Sequence, residues 1–328
     1  MKYAIFPIFV SGYPCFGRCV YCNASLATGV DEALNLGTIQ KEITDWLDQP
    51  GGGQCRQIAL YGNDILGLSK SLVNSLLEML LPYVESGRVQ GLRTSLRPDS
   101  IVAGQPELLK NFSTIEIGVP SMDIKVLTAI DRGHGPEDVV GGIQKLKDLS
   151  ISVGCQTMLG LPEASAESDL NSAKILALLQ PDFVRIHPTL VLRDTDLERR
   201  FREGSYTPLS MEESVERCAG VWNIYENNTI EVIRCGFHIP EAQLQKVLVA
   251  GPWHPAFGQL VRSLRWKKRL KAAFEASGGR KLYFEVNQSD YSDAVGHKRE
   301  NLIWLREHCN PNFQITCKKE SRRNKSTR

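Results

Sequence analysis

Three cysteines lie within eight positions near the start of the chain, in the segment CFGRCVYC. Cys15, Cys19 and Cys22 have the spacing C-x3-C-x2-C, which puts three potential metal ligands on one short loop. The loop follows an apolar stretch at residues 4–10 that has the composition of a buried strand. This loop is the first candidate for a chemical site.

Three interpretations of the cysteine triplet are open. Buried structural thiols are common in protein cores, but three of them on one glycine-containing loop would be unusual. Zinc normally takes four ligands, often from paired C-x2-C units, and the chain has no second such unit. A [4Fe-4S] cluster is the favoured interpretation, because such clusters require thiolates and three of them leave one iron open. Tyr21 would then place an aromatic ring beside the cluster.

The elements that would position this loop alternate between short apolar runs and helical stretches. Runs rich in Val, Ile and Leu are typical of strands covered on both faces. They predict strands at residues 4–10, 57–61, 91–95, 114–119, 152–158 and 183–187. Apolar residues at helical spacing predict helices at residues 39–47, 70–85, 136–149 and 167–179. This order predicts an α/β fold, a partial (β/α)6 TIM-like barrel with its chemistry at the carboxyl ends of the strands.

The pattern changes after about residue 190, where we divide the chain. We predict three regions: a barrel core at residues 1–190, a C-terminal helical and α+β extension closing the barrel at 191–317, and a basic disordered tail at 318–328. Within the extension we expect mainly helices at residues 194–276, strands at 281–288 and 313–317, and a helix at 300–308.

The composition bounds the class of protein. The 328 residues carry a formal net charge of +2, which gives no overall attraction to nucleic acid or membranes. No window approaches the roughly 18 apolar residues of a membrane span, and the first ten residues lack a cleavage site for export. We therefore expect a cytoplasmic protein without a membrane partner, whose nine cysteines are thiols or metal ligands.

The triplet, with an aromatic residue before its last cysteine, resembles the signature of the radical S-adenosylmethionine (SAM) superfamily. Other segments resemble a narrower branch, the radical SAM domain of the Elongator catalytic subunit and its short bacterial relatives, over roughly residues 2–310. They include RTSLRPDSI, TIEIGVPSMDIKVLTAIDRGHG, GCQTMLGLPEAS and GHKRENLIWLREH. The chain stops where the second domain of those relatives would begin, so we expect no acetyltransferase domain and no acetyl-CoA chemistry.

This resemblance implies a mechanism. Cys15, Cys19 and Cys22 would bind a [4Fe-4S] cluster, and the amino and carboxylate groups of SAM would chelate its open iron. An electron from a donor such as flavodoxin or ferredoxin would cleave SAM to a 5′-deoxyadenosyl radical, which abstracts hydrogen from a substrate. The sequence does not name the substrate. Because the Elongator relatives act on transfer RNA, a tRNA nucleoside is a candidate.

The resemblance also implies which residues contact SAM. Gly62 and Asn63 would form the turn whose backbone holds the SAM amino group, a close approach that glycine permits. Arg132 would pair with the SAM carboxylate, which suits a guanidinium fork. The remaining contacts are expected at Ser95 and Arg97, at Gln156 for the ribose, and at Gly160, Leu161 and Pro162 for the adenine.

This chain departs from the branch at two places. Asn63 and Asp64 stand where the branch commonly has a glycine and then Glu or Ser, which affects the contacts of the turn. Pro120 stands where the branch usually has Gln, so a polar contact to SAM or substrate is lost. Glu116 is equally compatible with a structural role in its strand and with a role in the site.

Several further polar residues lie in or beside the matched segments. A lone histidine is more often structural than catalytic, and among the histidines His134 lies nearest the SAM-facing loop. The candidates are His134, His187, His238, His254 and, toward the substrate side, Tyr206.

Residues 262–271 present six basic side chains around Trp266. They form either a solvated helix anchored by the tryptophan or, with the basic tail, a surface that contacts RNA phosphates. Two other classes of function therefore remain beside the enzyme. One is an iron-sulfur protein with an electron-transfer or sensing role, and the other is an RNA-binding module with vestigial SAM chemistry.

Overall fold

A computed structural model describes residues 3–11, 15, 17, 19–29, 34–49, 55–237, 239 and 241–318. The strands are β1 (Tyr3–Val10), β2 (Cys55–Gly62), β3 (Leu92–Leu96), β4 (Phe112–Gly118), β5 (Ser152–Leu159), β6 (Phe183–Pro188), β7 (Val191–Leu192), β8 (Glu231–Cys235), β9 (Leu248–Ala250), β10 (Tyr283–Val286) and β11 (Gln314–Cys317). All six strands predicted for the barrel are confirmed.

The helices follow the strands closely. They are α1 (Ala24–Thr28), α2 (Leu36–Asp48), α3 (Lys70–Glu85), α4 (Pro98–Ala103), α5 (Pro106–Leu109), α6 (Ile124–Ala129), α7 (Pro136–Asp148), α8 (Ala166–Leu178), α9 (Asp196–Arg202), α10 (Met211–Asn227), α11 (Glu241–Val247), α12 (Phe257–Ala276), α13 (Tyr291–Val295) and α14 (Glu300–His308). No helix in the described part of the chain is long and apolar enough to cross a bilayer.

The main sheet has seven strands in the order β1-β2-β3-β4-β5-β6-β8, and every neighbouring pair is parallel. The registers align the strand ends, with Val10 opposite Gly62 and Gly118 opposite Gln156. The order runs from β1 to β8 as an open arc, a curled half-barrel. The predicted α/β fold with a TIM-like parallel arc is confirmed, and its carboxyl ends lie along one edge.

The seventh strand, β8, is a correction, because residues 194–276 were expected to be mainly helical. Helices α9 to α12 do occupy most of that stretch, but β8 pairs with β6 inside it. The sequence of β8 is EVIRC, in which charged residues flank two apolar ones and most side chains are exposed. A short exposed edge strand lacks the continuous apolar run that identified the buried strands. The small antiparallel pair of β7 and β9 was also not predicted.

The chain divides into two compact units, Met1–Trp253 and His254–Arg328. The second unit contains α12, α13, α14 and the parallel pair β10-β11. Its core includes Phe284 and Phe313, whose rings stack with centroids 4.9 Å apart. The predicted elements at 281–288, 300–308 and 313–317 are confirmed. The boundary after residue 190 stays a prediction, and all of the predicted tail except Lys318 lies outside the described residues.

A buried carboxylate joins the central strands inside the arc. Glu116 of β4 has no exposed surface. It accepts hydrogen bonds from Arg185 Nε of β6 at 2.6 Å and Arg93 Nη1 of β3 at 3.3 Å. Tyr61 of β2 donates its hydroxyl at 2.8 Å and Gln156 of β5 its amide at 2.9 Å. Strands β2, β3, β5 and β6 thus each supply one hydrogen-bond donor to the carboxylate of β4.

The Glu116→Gln variant should be about 3–5 kcal/mol less stable than the wild type, because it leaves buried guanidinium groups without their counter-charge. Burial alone would raise the pKa of Glu116, but Arg185, Gln156 and Arg93 outweigh it, so the pKa is lowered. The carboxylate therefore stabilises the fold above the unfolded pKa of about 4.3. This advantage over the variant should shrink as the pH falls below that value.

Urea unfolding at pH 7 and at acidic pH measures this difference, with Glu42→Gln, an exposed change in α2, as the control. Equal unfolding free energies for Glu116→Gln and Glu42→Gln at pH 7 would contradict the assigned role of Glu116.

Candidate active site

The carboxyl ends of the parallel strands surround a cavity of about 650 Å³. The loop after β1 brings all three triplet cysteines to its lining, and Cys19 is buried whereas Cys15 and Cys22 are exposed. The other predicted site residues in the lining are Gly62, Asn63, Ser95, Arg97, Arg132 and Gln156. Residues separated by up to 141 positions, from Cys15 to Gln156, therefore share one cavity.

Arg132 is the residue that connects the cysteine loop to the sheet. Its Nη1 donates to Cys19 Sγ at 3.1 Å, and its Nη2 donates to the carbonyl of Gly118, at the end of β4, at 2.9 Å. Its Nε donates to His134 Nε2 at 2.9 Å, and the side chain is buried. Three contacts in different directions fix the plane of the guanidinium.

His134 acts on Arg132 rather than on the cavity. Because His134 Nε2 accepts from Arg132, the ring proton lies on Nδ1, which is 3.2 Å from the carbonyl of Gly135. Burial and the adjacent Arg132 lower the pKa of His134 to about 4. The imidazole is therefore neutral near pH 7 and orients the guanidinium as an acceptor.

A second guanidinium lies beside the same sulfur. Arg97, directly after β3, binds the Asp99 carboxylate through Nε and Nη2, both at 3.0 Å, and its Nη2 donates to the Arg132 carbonyl at 2.6 Å. Its Nη1 is 3.9 Å from Cys19 Sγ. A Cβ on Gly17 would lie 2.4 Å from this Nη1, so the loop approaches as closely as it does because glycine is there. Two cationic groups thus lie beside one sulfur.

The turn after β2 is held by the two residues that depart from the related branch. Gly62 has φ +107°, and a Cβ there would meet the backbone of Val10 at 3.1 Å, which favours glycine. Asn63 donates its side-chain amide to the Ser11 carbonyl at 2.9 Å. Asp64 accepts from the backbone N–H of Arg97 at 2.8 Å, and burial raises its pKa. Both side chains thus bind neighbouring backbone and fix the turn.

Gln156 and Ser95 line the cavity and connect it to Glu116, which is the register partner of Ser95. The Nε2 of Gln156 donates to Ser95 Oγ at 3.0 Å and to Glu116 Oε2 at 2.9 Å. The amide orientation is therefore set by the buried carboxylate. Glu116 itself belongs to the interior network, whereas the role of Gln156 toward a ribose stays a prediction.

The loop after β5 lies elsewhere. Gly160, Leu161 and Pro162 line a second cavity of about 500 Å³ together with Tyr206, whose hydroxyl donates to the Gly160 carbonyl at 2.7 Å. The structure does not bring this loop into the lining of the central cavity. A contact of these three residues with adenine stays a prediction.

The remaining candidates have different positions. His187, near the end of β6, lines the central cavity, and so does Pro120, whose carbonyl accepts from the Met158 N–H at 3.1 Å. His254 Nδ1 accepts from the Ala256 N–H at 3.0 Å, just before α12, which is a structural role. His238 lies outside the described residues.

The donor set agrees with an iron-sulfur cluster. Over the described residues, no three His, Cys, Asp or Glu side chains converge on a point where one metal ion could bind. A [4Fe-4S] cluster does not require such a point, because each thiolate binds a different iron. Three cysteine thiols on the lining of one cavity, with Arg132 and Arg97 beside Cys19, are the ligand type and local charge that such a cluster needs.

Sequence reasoning missed two residues, Arg185 in the network below the cavity and Phe237 on its lining. Arg185 binds Glu116, and Phe237 lies on the lining just after β8. A signal was present for Arg185, because a charged residue inside a buried apolar strand requires a partner. No signal existed for Phe237, because β8 was not predicted.

Comparisons with known proteins agree with this geometry. A family model described as "Radical SAM superfamily" matches residues 10–174, just over half of the chain, and one described as "Radical_SAM C-terminal domain" matches residues 181–266. A tRNA uridine(34) acetyltransferase of Methanocaldococcus infernus is 31% identical over 169 residues, which are 50% of this chain and 31% of that protein. Elongator complex protein 3 of Homo sapiens is 27% identical over 136 residues, 40% of this chain and 25% of that protein.

A solved structure has a similar fold. The archaeal Methanocaldococcus infernus Elp3 with an N-terminal deletion has a TM-score of 0.62 at 21% identity, covering 88% of this chain and 67% of that one. The chain spans less than half the length of the two curated relatives that it matches. The family model, the parallel half-barrel and the cysteine triplet on its cavity together establish that this chain belongs to the radical SAM superfamily.

Proposed function

We propose that this protein binds a [4Fe-4S] cluster through Cys15, Cys19 and Cys22, binds SAM beside it, and modifies a tRNA nucleoside. Membership of the superfamily implies both cofactors and an enzyme. The observation that carries the proposal is that the triplet and Arg132 line one cavity at the carboxyl ends of the strands. When bound and reduced, the cofactors would supply a 5′-deoxyadenosyl radical that abstracts hydrogen from the substrate.

The protein's own groups would bind and orient SAM. A guanidinium has five N–H donors, and three donors of Arg132 have partners among the described residues. The other two, one on each terminal nitrogen, can bind a carboxylate. The Oε1 of Gln156 is an acceptor for a ribose hydroxyl, because its Nε2 is already bound to Ser95 and Glu116. The low pKa of His134 keeps the adjacent ring neutral, so it does not compete for the carboxylate.

The proposal of a tRNA substrate has two supports. One matched relative is named a tRNA uridine(34) acetyltransferase. In addition, α12 presents three exposed basic residues, Lys268, Arg269 and Lys271. Of these, Arg269 lies 5.6 Å from the Trp266 ring centre and Lys271 Nζ is 3.5 Å from Glu275. The other basic residues of this segment are less exposed: Arg262 pairs with Asp293 at 2.6 Å, Lys267 lies 4.2 Å from the Trp304 ring centre, and Arg265 is buried. A flavodoxin or ferredoxin would supply the electron.

The Cys19→Ala variant should lose the brown absorbance of the cluster after anaerobic reconstitution, and with it all 5′-deoxyadenosine formation from SAM and dithionite. The reason is that, within the part of the chain that the structure describes, the cysteines on the cavity lining are those of the triplet, with Cys19 next to Arg132. The matched control is Cys317→Ala, which removes a thiol of β11 outside the triplet.

Full absorbance in Cys19→Ala would show that the ligand assignment is wrong. A wild-type protein that carries the cluster but forms no 5′-deoxyadenosine would instead favour an electron-transfer or sensing role.

The Arg132→Gln variant should bind SAM at least about tenfold more weakly, because it loses the charge-assisted pair with the carboxylate. The SAM affinity of Arg132→Lys should lie between those of the wild type and Arg132→Gln, since lysine keeps the charge but lacks the guanidinium fork. Anaerobic titration calorimetry measures the affinity, and iron and sulfide content is determined for each variant because Arg132 also contacts Cys19. If Arg132→Gln binds SAM as tightly as the wild type at equal cluster content, Arg132 does not bind the SAM carboxylate.

Replacing Lys268, Arg269 and Lys271 together by Gln should weaken tRNA binding and flatten its salt dependence. Log affinity falls as log salt concentration rises, and each lost phosphate contact makes this slope less steep by about 0.7–0.9. The control replaces three exposed lysines of the first unit, Lys41, Lys70 and Lys110, which changes the net charge equally. The same loss of affinity in both triple variants would show a general charge effect instead of a binding surface.

A further inference from the structure

Two arginines lie side by side on the last two strands of the arc. Arg185 of β6 is the register partner of Arg234 of β8. Neighbouring residues of paired strands project to the same face, so both arginines face the interior side of the sheet. Arg185 donates to Glu116 through Nε at 2.6 Å and Nη2 at 3.1 Å.

The interior has more positive than negative charge at this point. Arg93 and Arg185 share the single carboxylate of Glu116. Arg234 adds a third guanidinium, and the described residues give it no hydrogen-bond or ion-pair partner. Partial burial, and after it the positive charge of the neighbouring Arg185, lower the pKa of Arg234. Because β8 ends the sheet order and Arg234 is exposed, an incoming group can reach this charge.

The arginine pair adjoins the central cavity. His187 follows Arg185 by two residues on the same strand, so it faces the same side, and it lines the cavity. Its Nδ1 is buried without a hydrogen-bond partner in the described part of the chain. Its ring lies 4.5 Å from that of Phe237, which also lines the cavity. The free edge thus combines accessible positive charge, an unused polar ring atom and an aromatic surface.

We propose that Arg234, supported by Arg185, forms a subsite for a phosphate group of the substrate nucleotide, with His187 and Phe237 against its sugar and base. Excess positive charge at an accessible edge favours the binding of an anion, and a guanidinium fork suits phosphate oxygens. This subsite rests on the proposed tRNA function and specifies where the substrate enters the cavity. It lies on β6 and β8, apart from Arg132 and the cysteine loop.

The test compares uridine 5′-monophosphate with uridine as probes, by calorimetry at low salt on the reconstituted protein. The wild type should bind the monophosphate more tightly than the nucleoside. Arg234→Gln should weaken monophosphate binding by about tenfold and leave uridine binding nearly unchanged, while Arg234→Lys should keep part of the difference. Lys125→Gln, an exposed change on α6 with the same loss of charge, is the matched control and should behave as the wild type.

Equal monophosphate affinity in Arg234→Gln and Lys125→Gln would overturn the subsite. A fall in SAM affinity as large as that for the monophosphate would also overturn it, because the guanidinium would then serve the SAM carboxylate. Failure of the proposed function is separate: it is the absence of 5′-deoxyadenosine in the wild type, which leaves the monophosphate comparison measurable. If Arg234→Gln binds both tRNA and the monophosphate more weakly than the wild type does, this supports an RNA phosphate as the natural ligand.

Discussion

The carboxylate of Glu116 cannot remain charged inside the sheet unless cations and donors converge on it. Arg93 and Arg185 supply the charge, and Tyr61 and Gln156 supply hydrogen bonds, so five adjacent strands contribute to one group. This requirement fixes side-chain directions on β2 to β6 at the level just below the cavity. Removing the carboxylate would leave two cations without a counter-charge, which is why the layer constrains the fold as well as the site.

The cavity above that layer has a different electrostatic character. Arg132 and Arg97 lie beside the Cys19 sulfur. Arg132 is anchored to the end of β4 through Gly118, and Arg97 is anchored to the first turn of α4 through Asp99. Their positive charge thus lies beside the Cys19 sulfur at the carboxyl ends of the strands. The same imbalance recurs beside Arg234, where Arg93 and Arg185 share the Glu116 carboxylate and Arg234 adds a third guanidinium. The interior layer therefore links the place where SAM is expected to the edge where the substrate is expected.

Much of this arrangement could be predicted from the sequence, because buried parallel strands are continuous apolar runs. The six strands and the cysteine loop follow from such local patterns. The strand β8 could not be predicted, since its sequence mixes charged and apolar residues and its place is set by pairing with β6. For the same reason the pairing of Arg185 with Arg234 was missed, as register between distant segments is a non-local property.

Predicted site residues come together where the residue type restricts the chemistry. The cysteine triplet and Arg132 are such residues, and they line one cavity, whereas their roles toward a cluster and SAM stay predictions. Gly160, Leu161 and Pro162 carry no such restriction, and the structure puts them on a second cavity. The structural duty of His134 as an acceptor for Arg132 is also invisible in sequence, because it depends on which ring nitrogen faces the guanidinium.

The central claim is that SAM binds directly at a cluster held by the triplet. Electron paramagnetic resonance of the reduced, reconstituted protein, recorded with and without SAM, tests it most directly. The account predicts that SAM changes the g values of the cluster signal in the wild type. An identical spectrum in the presence of saturating SAM would contradict it.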